Sequence, residues 1–199
     1  MNVRQMDKFT AHLDHYFEQT EPKVLHPTFD AKPHIDMVIY EPTEKYPFWK
    51  LVTMGAGDYK MPPVKPTLGN RNEYMIFVDP DVDMMDRDIA WWYYCKLRMV
   101  ADYPRFAKSH ITYAHSFEWE DCDPDDEAVG AFLEFPQVIE NTGILHCKLG
   151  MFKTVTCLQV VLLSKGQLEM LAEIGAEQFS NYLYPEDGTE THTISTYRK

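Results

Sequence analysis

The stretch 155–163, VTCLQVVLL, decides the fold that this sequence adopts. Seven of its nine residues are apolar, and they do not alternate with polar ones. An apolar run this short is typical of a strand that is covered on both faces. Ser164 and Gln167 follow with the spacing of a helix capping box, so we predict a central strand that leads at once into the last helix. The residues that indicate this last helix are Leu168, Leu171, Ala172, Gly175, Phe179 and Leu183.

Three strands are predicted upstream of this stretch, at 34–40, 48–54 and 73–78. In the first of them, apolar residues recur with the period of two that a strand requires. The second runs into Gly-Ala-Gly-Asp at 55–58, a sequence that predicts a tight turn. These strands supply one side of a sheet.

Three more strands are predicted between the acidic middle of the chain and the central strand. The range 111–119 shows the cleanest alternation in the sequence, and 129–135 and 144–149 follow it. Asn-Thr-Gly at 141–143 predicts a hairpin that joins the last two.

Two further helices complete the secondary structure. Residues 6–19 carry an apolar stripe at helical spacing, and 87–103 carry another. Asp86 or Asp88 is placed to cap the second helix, which we expect to end at the step from Tyr103 to Pro104. Strands in two runs with helices between and around them predict an α+β fold, a mixed sheet with helices packed against it.

We expect the chain to divide into three parts. Residues 1–33 form an N-terminal helix and a connector interrupted by prolines, which could allow the helix to pack apart from the body. Residues 34–183 form the main domain, and 184–199 form a polar, frayed tail.

Composition predicts a soluble protein of the cytoplasm. The chain has 199 residues, of which 45% are hydrophobic, enough to bury a full core. No window is long and apolar enough to cross a bilayer, and the start carries charges in place of a signal sequence. Four cysteines stand at spacings that suit neither a zinc site nor a redox pair, which favours a reducing compartment.

The net charge of −12 is concentrated in two segments. Residues 79–88 (DPDVDMMDRD) and 118–127 (EWEDCDPDDE) together contribute −11 of it. Such a surface repels nucleic acid and anionic membranes and attracts a basic protein. We expect the second segment to lie on the surface, because seven buried carboxylates could not be paired. Its candidate partner-binding residues are Glu118, Glu120, Asp121, Asp123, Asp125, Asp126 and Glu127.

The first acidic segment begins like a calcium-binding loop. The aspartates at 79, 81 and 83 have the spacing of the first three EF-hand ligands. Met84 stands where that loop requires glycine, and Ala90 stands where it requires glutamate. We therefore predict a solvated turn that caps the next helix.

Histidines offer the best case for catalysis. His34 and Asp36 share a face of a predicted strand and, with His115, form a hypothetical pocket for a small-molecule or metal-dependent enzyme such as a hydrolase. His115 lies in an alternating apolar segment, however, which favours a packed imidazole. The sequence has no phosphate loop, nucleophile elbow or dinucleotide-binding motif. We predict no catalytic residue, metal ligand or cofactor, with the enzyme kept as the alternative.

Several segments, in order, resemble the Suppressor of Fused (SUFU) domain family. The strongest marks are the Gly-Ala-Gly-Asp turn after an aromatic strand and Leu158-Gln159 in a strand that runs into a helix with Glu169. The resemblance covers about residues 34 to 183. Its segments are HIDMVIYEPT (34–43), FWKLVTMGAGDY (48–59), RNEYMIFVD (71–79), the Trp91-Trp92 helix, 110–119, 129–136 and TVTCLQVVLLSKGQLEM (154–170).

The resemblance implies a SUFU N-terminal-domain-like fold and binding without catalysis. Animal members carry a second domain and hold a peptide between the two, and no residue of that cleft is carried over. This chain is more similar to the short bacterial members, which are regarded as immunity proteins that neutralise a toxin. The expected partner is a basic toxin domain. A further alternative is an acidic mimic of nucleic acid that occupies a DNA-binding protein.

The turn at 55–58 and its neighbours are expected to define the fold. Gly55 and Gly57 supply backbone angles closed to other residues. Asp58 is placed to bind the amides of the turn. Arg71 and Glu73 flank the third strand and are expected to pair with each other or with this turn.

Overall fold

The computed structural model describes residues 1–27, 33–64, 69–119, 126–185 and 191–198. Within these ranges the chain forms three α-helices and eight strands. The helices are α1 (Val3–Phe17), α2 (Arg87–Phe106) and α3 (Lys165–Leu183). The strands are β1 (Lys23–Leu25), β2 (Asp36–Tyr40), β3 (Trp49–Met54), β4 (Asn72–Val78), β5 (Ser116–Glu118), β6 (Gly130–Glu134), β7 (His146–Gly150) and β8 (Lys153–Leu163).

The strands form one mixed sheet in the order β1-β2-β3-β4-β8-β6-β5, and β7 also pairs with β8. All neighbours are antiparallel except β4 and β8, which run parallel. The predicted α+β class and mixed sheet are confirmed. None of the helices in the described ranges combines the length and hydropathy that a bilayer span needs.

Strand β8 is the centre of the sheet, as its apolar sequence predicts. Every residue from Val155 to Leu163 is buried. The side chain of Gln159 is hydrogen-bonded at both of its polar atoms. Its amide nitrogen donates to the carbonyl of Thr193 at 3.0 Å, and its oxygen accepts from the hydroxyl of Tyr184 at 3.0 Å. The one buried amide side chain in this strand therefore has a hydrogen-bond partner for its nitrogen and for its oxygen.

The two faces of the sheet carry different helices. On one face, Leu51, Ile76 and Leu158 pack with Tyr93 and Leu97 of α2. The other face holds two further clusters. In the first, α1 contributes Phe9, Leu13 and Phe17, all fully buried, against strands β2 to β4. In the second, α3 packs on β6 and the end of β8. Alternation along each strand divides its side chains between these faces.

The predicted strand at 111–119 is wrong over most of its length. Only Ser116–Glu118 forms a strand. Ala114 has a φ of 66° and the amide of His115 donates to the carbonyl of Thr112, so the chain turns before it reaches the sheet. Alternating hydrophobicity here reflects packing of a turn and not an extended backbone.

The predicted hairpin at 141–143 is also wrong. Strand β6 pairs with 159–163 of β8, and β7 pairs with 153–156 of the same strand. The two strands thus follow one another along one edge of β8. Asn141 instead begins a 3-10 turn at Thr142–Leu145, with its side chain accepting from the amide of Gly143.

The predicted helix bounds hold at two helix starts and fail for α1 and for the end of α2. Helix α1 runs from Val3 to Phe17 and not over 6–19. Asp86 caps α2 and the Ser164–Gln167 capping box begins α3, both as predicted. Helix α2 continues through Pro104 to Phe106, past the expected end. Pro104 lacks the amide that would donate to the carbonyl four residues earlier, and the helix ends two residues beyond it.

Both chain ends pack on the sheet. The connector after α1 contains the edge strand β1, which sequence patterning missed. In the tail, Ser195 exchanges backbone hydrogen bonds with Phe77 and Asp79, and Thr193 and Ser195 are buried. The expected fraying is therefore wrong for residues 191–198.

Candidate functional site

A buried carboxylate organises the turn after β3. Glu73 of β4 is fully buried, and its Oε1 accepts from the amides of Gly55 at 3.0 Å and Gly57 at 2.9 Å. Its Oε2 accepts from the amide of Ala56 at 3.2 Å and from the Thr53 hydroxyl at 2.7 Å. Burial raises the pKa of Glu73 to about 7, while these four donors act in the opposite direction. Both oxygens of the carboxylate thus accept hydrogen bonds from the turn or from the strand that precedes it.

The two glycines of the turn are required for different reasons. Gly55 has a φ of 124°, and a Cβ there would lie 2.5 Å from the carbonyl oxygen of His34. Gly57 does not have a positive φ, so the predicted special backbone angle is wrong at this position. A Cβ on Gly57 would lie 2.5 Å from Cγ1 of Val155. Close approach to the central strand is what requires glycine there.

Arg71 and Asp58 support the turn from outside. The Nη1 of Arg71 donates to the carbonyls of Gly57 at 2.9 Å and Asp58 at 2.7 Å. Asp58 does not bind the turn amides as predicted, because Glu73 holds them. Its carboxylate pairs with Lys153 and with the ammonium of Met1. Burial would raise the pKa of Asp58, but these two cations outweigh it and lower that pKa.

The two acidic segments leave the sheet at the same end. Continuing the parallel register of Met75 with Gln159 places Val78, the last residue of β4, level with Leu162. Glu118 at the end of β5 is opposite Gly130, which is opposite Leu163. The segment 79–88 follows β4 and the segment 118–127 begins in β5. Both therefore start within one residue of the end of β8.

The first acidic segment is a solvated turn, as predicted. The Asp79 carboxylate accepts from the amide of Asp81 at 2.9 Å, and that of Asp83 accepts from the amide of Met85 at 3.0 Å. These contacts are typical Asx turns and orient the carboxylates toward the backbone. Four aspartates of the segment are exposed, namely Asp81, Asp83, Asp86 and Asp88.

The second acidic segment is described only in part. Glu118 and Glu127 are exposed, in agreement with a surface position. Asp126 is not: its side chain is 8% exposed and its Oδ2 lies 2.6 Å from Nζ of Lys96. The expectation that all seven acids are presented to solvent is wrong for Asp126, since Lys96 pairs with it. The candidates Glu120, Asp121, Asp123 and Asp125 lie outside the described residues.

A cleft of about 820 Å³ opens at the same end of the sheet. Residues from the first acidic segment, the end of β8, the start of α3 and the chain tail line it. Six of them are Asp79, Pro80, Leu162, Ser164, Gln167 and Tyr197. Sequence analysis missed this cleft because the tail was expected to be free. The acidic end of the sheet, with this cleft and the two segments, is the candidate functional site.

The predicted enzyme site of His34, Asp36 and His115 does not form. His34 Nε2 lies 2.8 Å from Asp36 Oδ1, but the third member of the cluster is His26, whose Nδ1 lies 2.9 Å from the same oxygen. His115 is elsewhere, and its Nδ1 accepts from the amide of Thr112 at 3.2 Å. Sequence analysis missed His26 because it follows a strand that patterning did not predict.

The buried thiols are poor nucleophiles. Cys147 and Cys157 lie in the core, where burial raises the pKa of Cys147 to about 11 and holds that of Cys157 well above its ordinary value. Burial raises the pKa of Cys95 as well. Thiolate reactivity needs the opposite shift, so these three thiols are weak nucleophiles.

These features define an α+β domain built on one mixed sheet, with both acidic segments starting at one end of it. The family model described as Suppressor of fused protein (SUFU) matches residues 31–195. The chain belongs to this family. No curated protein matches it.

Solved structures give the same fold at low sequence identity. A SUFU homolog from Neisseria gonorrhoeae FA 1090 is 11% identical with a TM-score of 0.69, and the match covers 98% of this chain and 97% of that one. Drosophila Suppressor of Fused is 14% identical with a TM-score of 0.68, over 98% and 50% of the two chains. A chain of the Sufu-Fu complex is 15% identical with a TM-score of 0.65, over 98% and 91%.

Proposed function

We propose that this protein is a non-enzymatic binding domain that inhibits a basic protein in the cytoplasm, as an immunity protein against a toxin domain. The acidic end of the sheet is the binding surface. The observation that carries the proposal is the placement of both acidic segments within one residue of the end of β8. Charges that are separated by about 30 positions in the sequence thereby act on one partner.

The electrostatics support a role in partner capture. The two segments hold most of the net charge of −12, and the four exposed aspartates of 79–88 together with Glu118 and Glu127 offer carboxylates to solvent. Complementary charge of this kind raises the association rate and selects against acidic partners. The cleft beside these carboxylates gives the partner a concave surface to fill.

The family also supports binding to a protein. One chain with this fold was solved in the Sufu-Fu complex, so the fold is compatible with a protein partner. The candidates for nucleophilic catalysis are weak, because two of the described thiols are buried, the third is partly buried, and His115 does not join His34. We infer binding without catalysis from these two points together.

The proposal is tested by capture followed by protection. The purified chain is immobilised at low salt and exposed to extracts of cells that carry the neighbouring genes. The captured protein is then expressed alone and together with this chain. We expect it to be basic and to arrest growth only when it is expressed alone. Capture of a protein that does not arrest growth, or arrest that this chain does not relieve, would overturn the proposal.

A charge variant locates the binding surface. Glu118, Glu120, Asp121, Asp123, Asp125 and Glu127 are changed to amides, while Asp126 is kept because it pairs with Lys96. The association rate should fall while dissociation changes less, and the wild-type rate should drop as salt shortens the screening length from about 30 Å at 0.01 M to about 8 Å at 0.15 M. Amides at Glu169, Glu173 and Glu177 of α3 serve as the control. Equal association rates for both variants would place the partner elsewhere.

A further inference from the structure

We propose that His26, His34 and Asp36 form a binding site for a divalent transition-metal ion, with Zn²⁺ the preferred occupant. His26 Nδ1 and His34 Nε2 lie 2.9 Å and 2.8 Å from the same oxygen, Oδ1 of Asp36. All three ligand atoms lie within 4.8 Å of one another. Small side-chain rotations would place an ion between them. The site is independent of the proposed partner binding.

The donor set suits a borderline metal. Two imidazole nitrogens and one carboxylate oxygen are common ligands of Zn²⁺ and of the later first-row ions. Ca²⁺ and Mg²⁺ prefer sites made entirely of oxygen atoms. Three protein ligands leave at least one coordination position for water or for a group from another molecule.

The sheet itself brings the ligands together. Leu25 of β1 is paired with Met37 of β2, so the next residue pair in this antiparallel register is His26 and Asp36. His34 stands two residues before Asp36, on the same side of the chain in an extended backbone. The pairing of β1 with β2 thus brings His26 to Asp36, and His34 reaches the same carboxylate from the segment just before β2.

One ligand is buried and two are exposed, as expected for a metal site that is open to solvent. The Asp36 side chain is 2% exposed, so its position is determined by its surroundings. The side chains of His26 and His34 are 64% and 57% exposed, so an ion can enter from solvent. The imidazole rings stack at 6.3 Å between centroids, which holds them on the same side of the carboxylate.

An ion here would join two parts of the chain. His26 directly follows the edge strand β1, Asp36 is the first residue of β2, and His34 lies two residues before it. A metal ion would therefore fasten the end of β1 to the start of β2. Because the ion binds the folded state, it should raise the melting temperature in proportion to the logarithm of its concentration.

The test measures binding of Zn²⁺ alone. Protein without a histidine tag is stripped with a chelator and titrated with Zn²⁺ by calorimetry, and Co²⁺ is used as a spectroscopic probe. We expect one ion per chain and a higher melting temperature. The visible spectrum of bound Co²⁺ should be that of an ion with a low coordination number. No saturable binding, or binding without a change in melting temperature, would overturn the proposal.

Variants assign the ion to this site. His26→Ala and His34→Ala should each weaken Zn²⁺ binding by about tenfold or more, because each removes a ligand. Both side chains are largely exposed, so neither change should unfold the protein. His146→Ala, at an exposed histidine of β7, is the matched control and should bind as wild type. If His26→Ala and His34→Ala also bind as wild type, the histidines only donate hydrogen bonds to Asp36 and the proposal is wrong.

Discussion

Lys96 and Asp126 form a buried ion pair between α2 and the second acidic segment, with Nζ 2.6 Å from Oδ2. Both side chains are less than a tenth exposed. The ammonium also donates to the carbonyl of Ala128 at 3.1 Å and lies over the rings of Trp92 and Trp119. The cation is thus enclosed on several sides. Asp126 therefore fixes this end of the acidic segment to α2, while the next residue, Glu127, is exposed.

This ion pair predicts that neutralising Asp126 lowers the stability of the protein far more than neutralising the adjacent Glu127. Asp126→Asn leaves the buried Lys96 charge without its counterion, which should lower the free energy of unfolding by about 3 kcal/mol. Glu127→Gln, at an exposed position, should change it by less than about 0.5 kcal/mol. Urea denaturation of both variants measures the difference. Equal stabilities would mean that the ion pair does not hold this segment.

The turn after β3 should not tolerate a side chain. Gly55→Val requires a φ of 124° and a contact of 2.5 Å with the His34 carbonyl, so we expect a loss of about 1 to 3 kcal/mol from strain alone. Gly57→Val should also destabilise, because its Cβ would meet Val155. Gly150→Val is the control, since no atom lies within 4 Å of its Cβ position. Unchanged melting temperatures for both turn variants would contradict this account.

Glu73 should make stability fall as pH rises. An unfolded glutamate loses its proton near pH 4.5, whereas folded Glu73 keeps it up to about pH 7, so the folded state binds more protons between these values. The contribution of Glu73 to folding should be greatest below pH 4.5 and decrease through pH 7, by on the order of 3 kcal/mol.

Glu73→Gln provides the comparison for this pH effect. The amide does not titrate, and other groups with shifted pKa values, such as Glu134, are present in both proteins. The difference in unfolding free energy between wild type and the variant should therefore shrink from pH 5 to pH 8. Denaturation at four pH values measures it, and a difference that grows with pH would show that the folded carboxylate is preferentially ionised.

The central strand should be the most sensitive part of the core. Leu158 is fully buried, and Leu158→Ala should cost about 2 to 5 kcal/mol from lost transfer energy and a new cavity. Val160→Ala removes fewer atoms from an equally buried position and should cost less. Val3→Ala, at a residue that is 74% exposed, is the control. Losses below about 0.5 kcal/mol at both core positions would be inconsistent with a central β8.

The sequence by itself determined the elements whose signals are local. Apolar residues without alternation over 155–163 predicted a strand covered on both faces, and Ser164 with Gln167 predicted the start of α3. Burial and capping are consequences of neighbouring residues, so a short window contains the necessary information. The same is true of Gly55, whose positive φ follows from a tight turn after an aromatic strand.

Only the tertiary structure decided which distant residues meet. Strand β8 accepts both β6 and β7 along one edge, so two strands that are close in sequence do not pair with each other. His26 reaches Asp36 through the register of β1 with β2, and Lys96 neutralises Asp126 across 30 positions. Ala114 turns the chain inside an alternating segment. Such contacts depend on strand order and register, which are set by the packing of the whole core and leave no mark in a local sequence window.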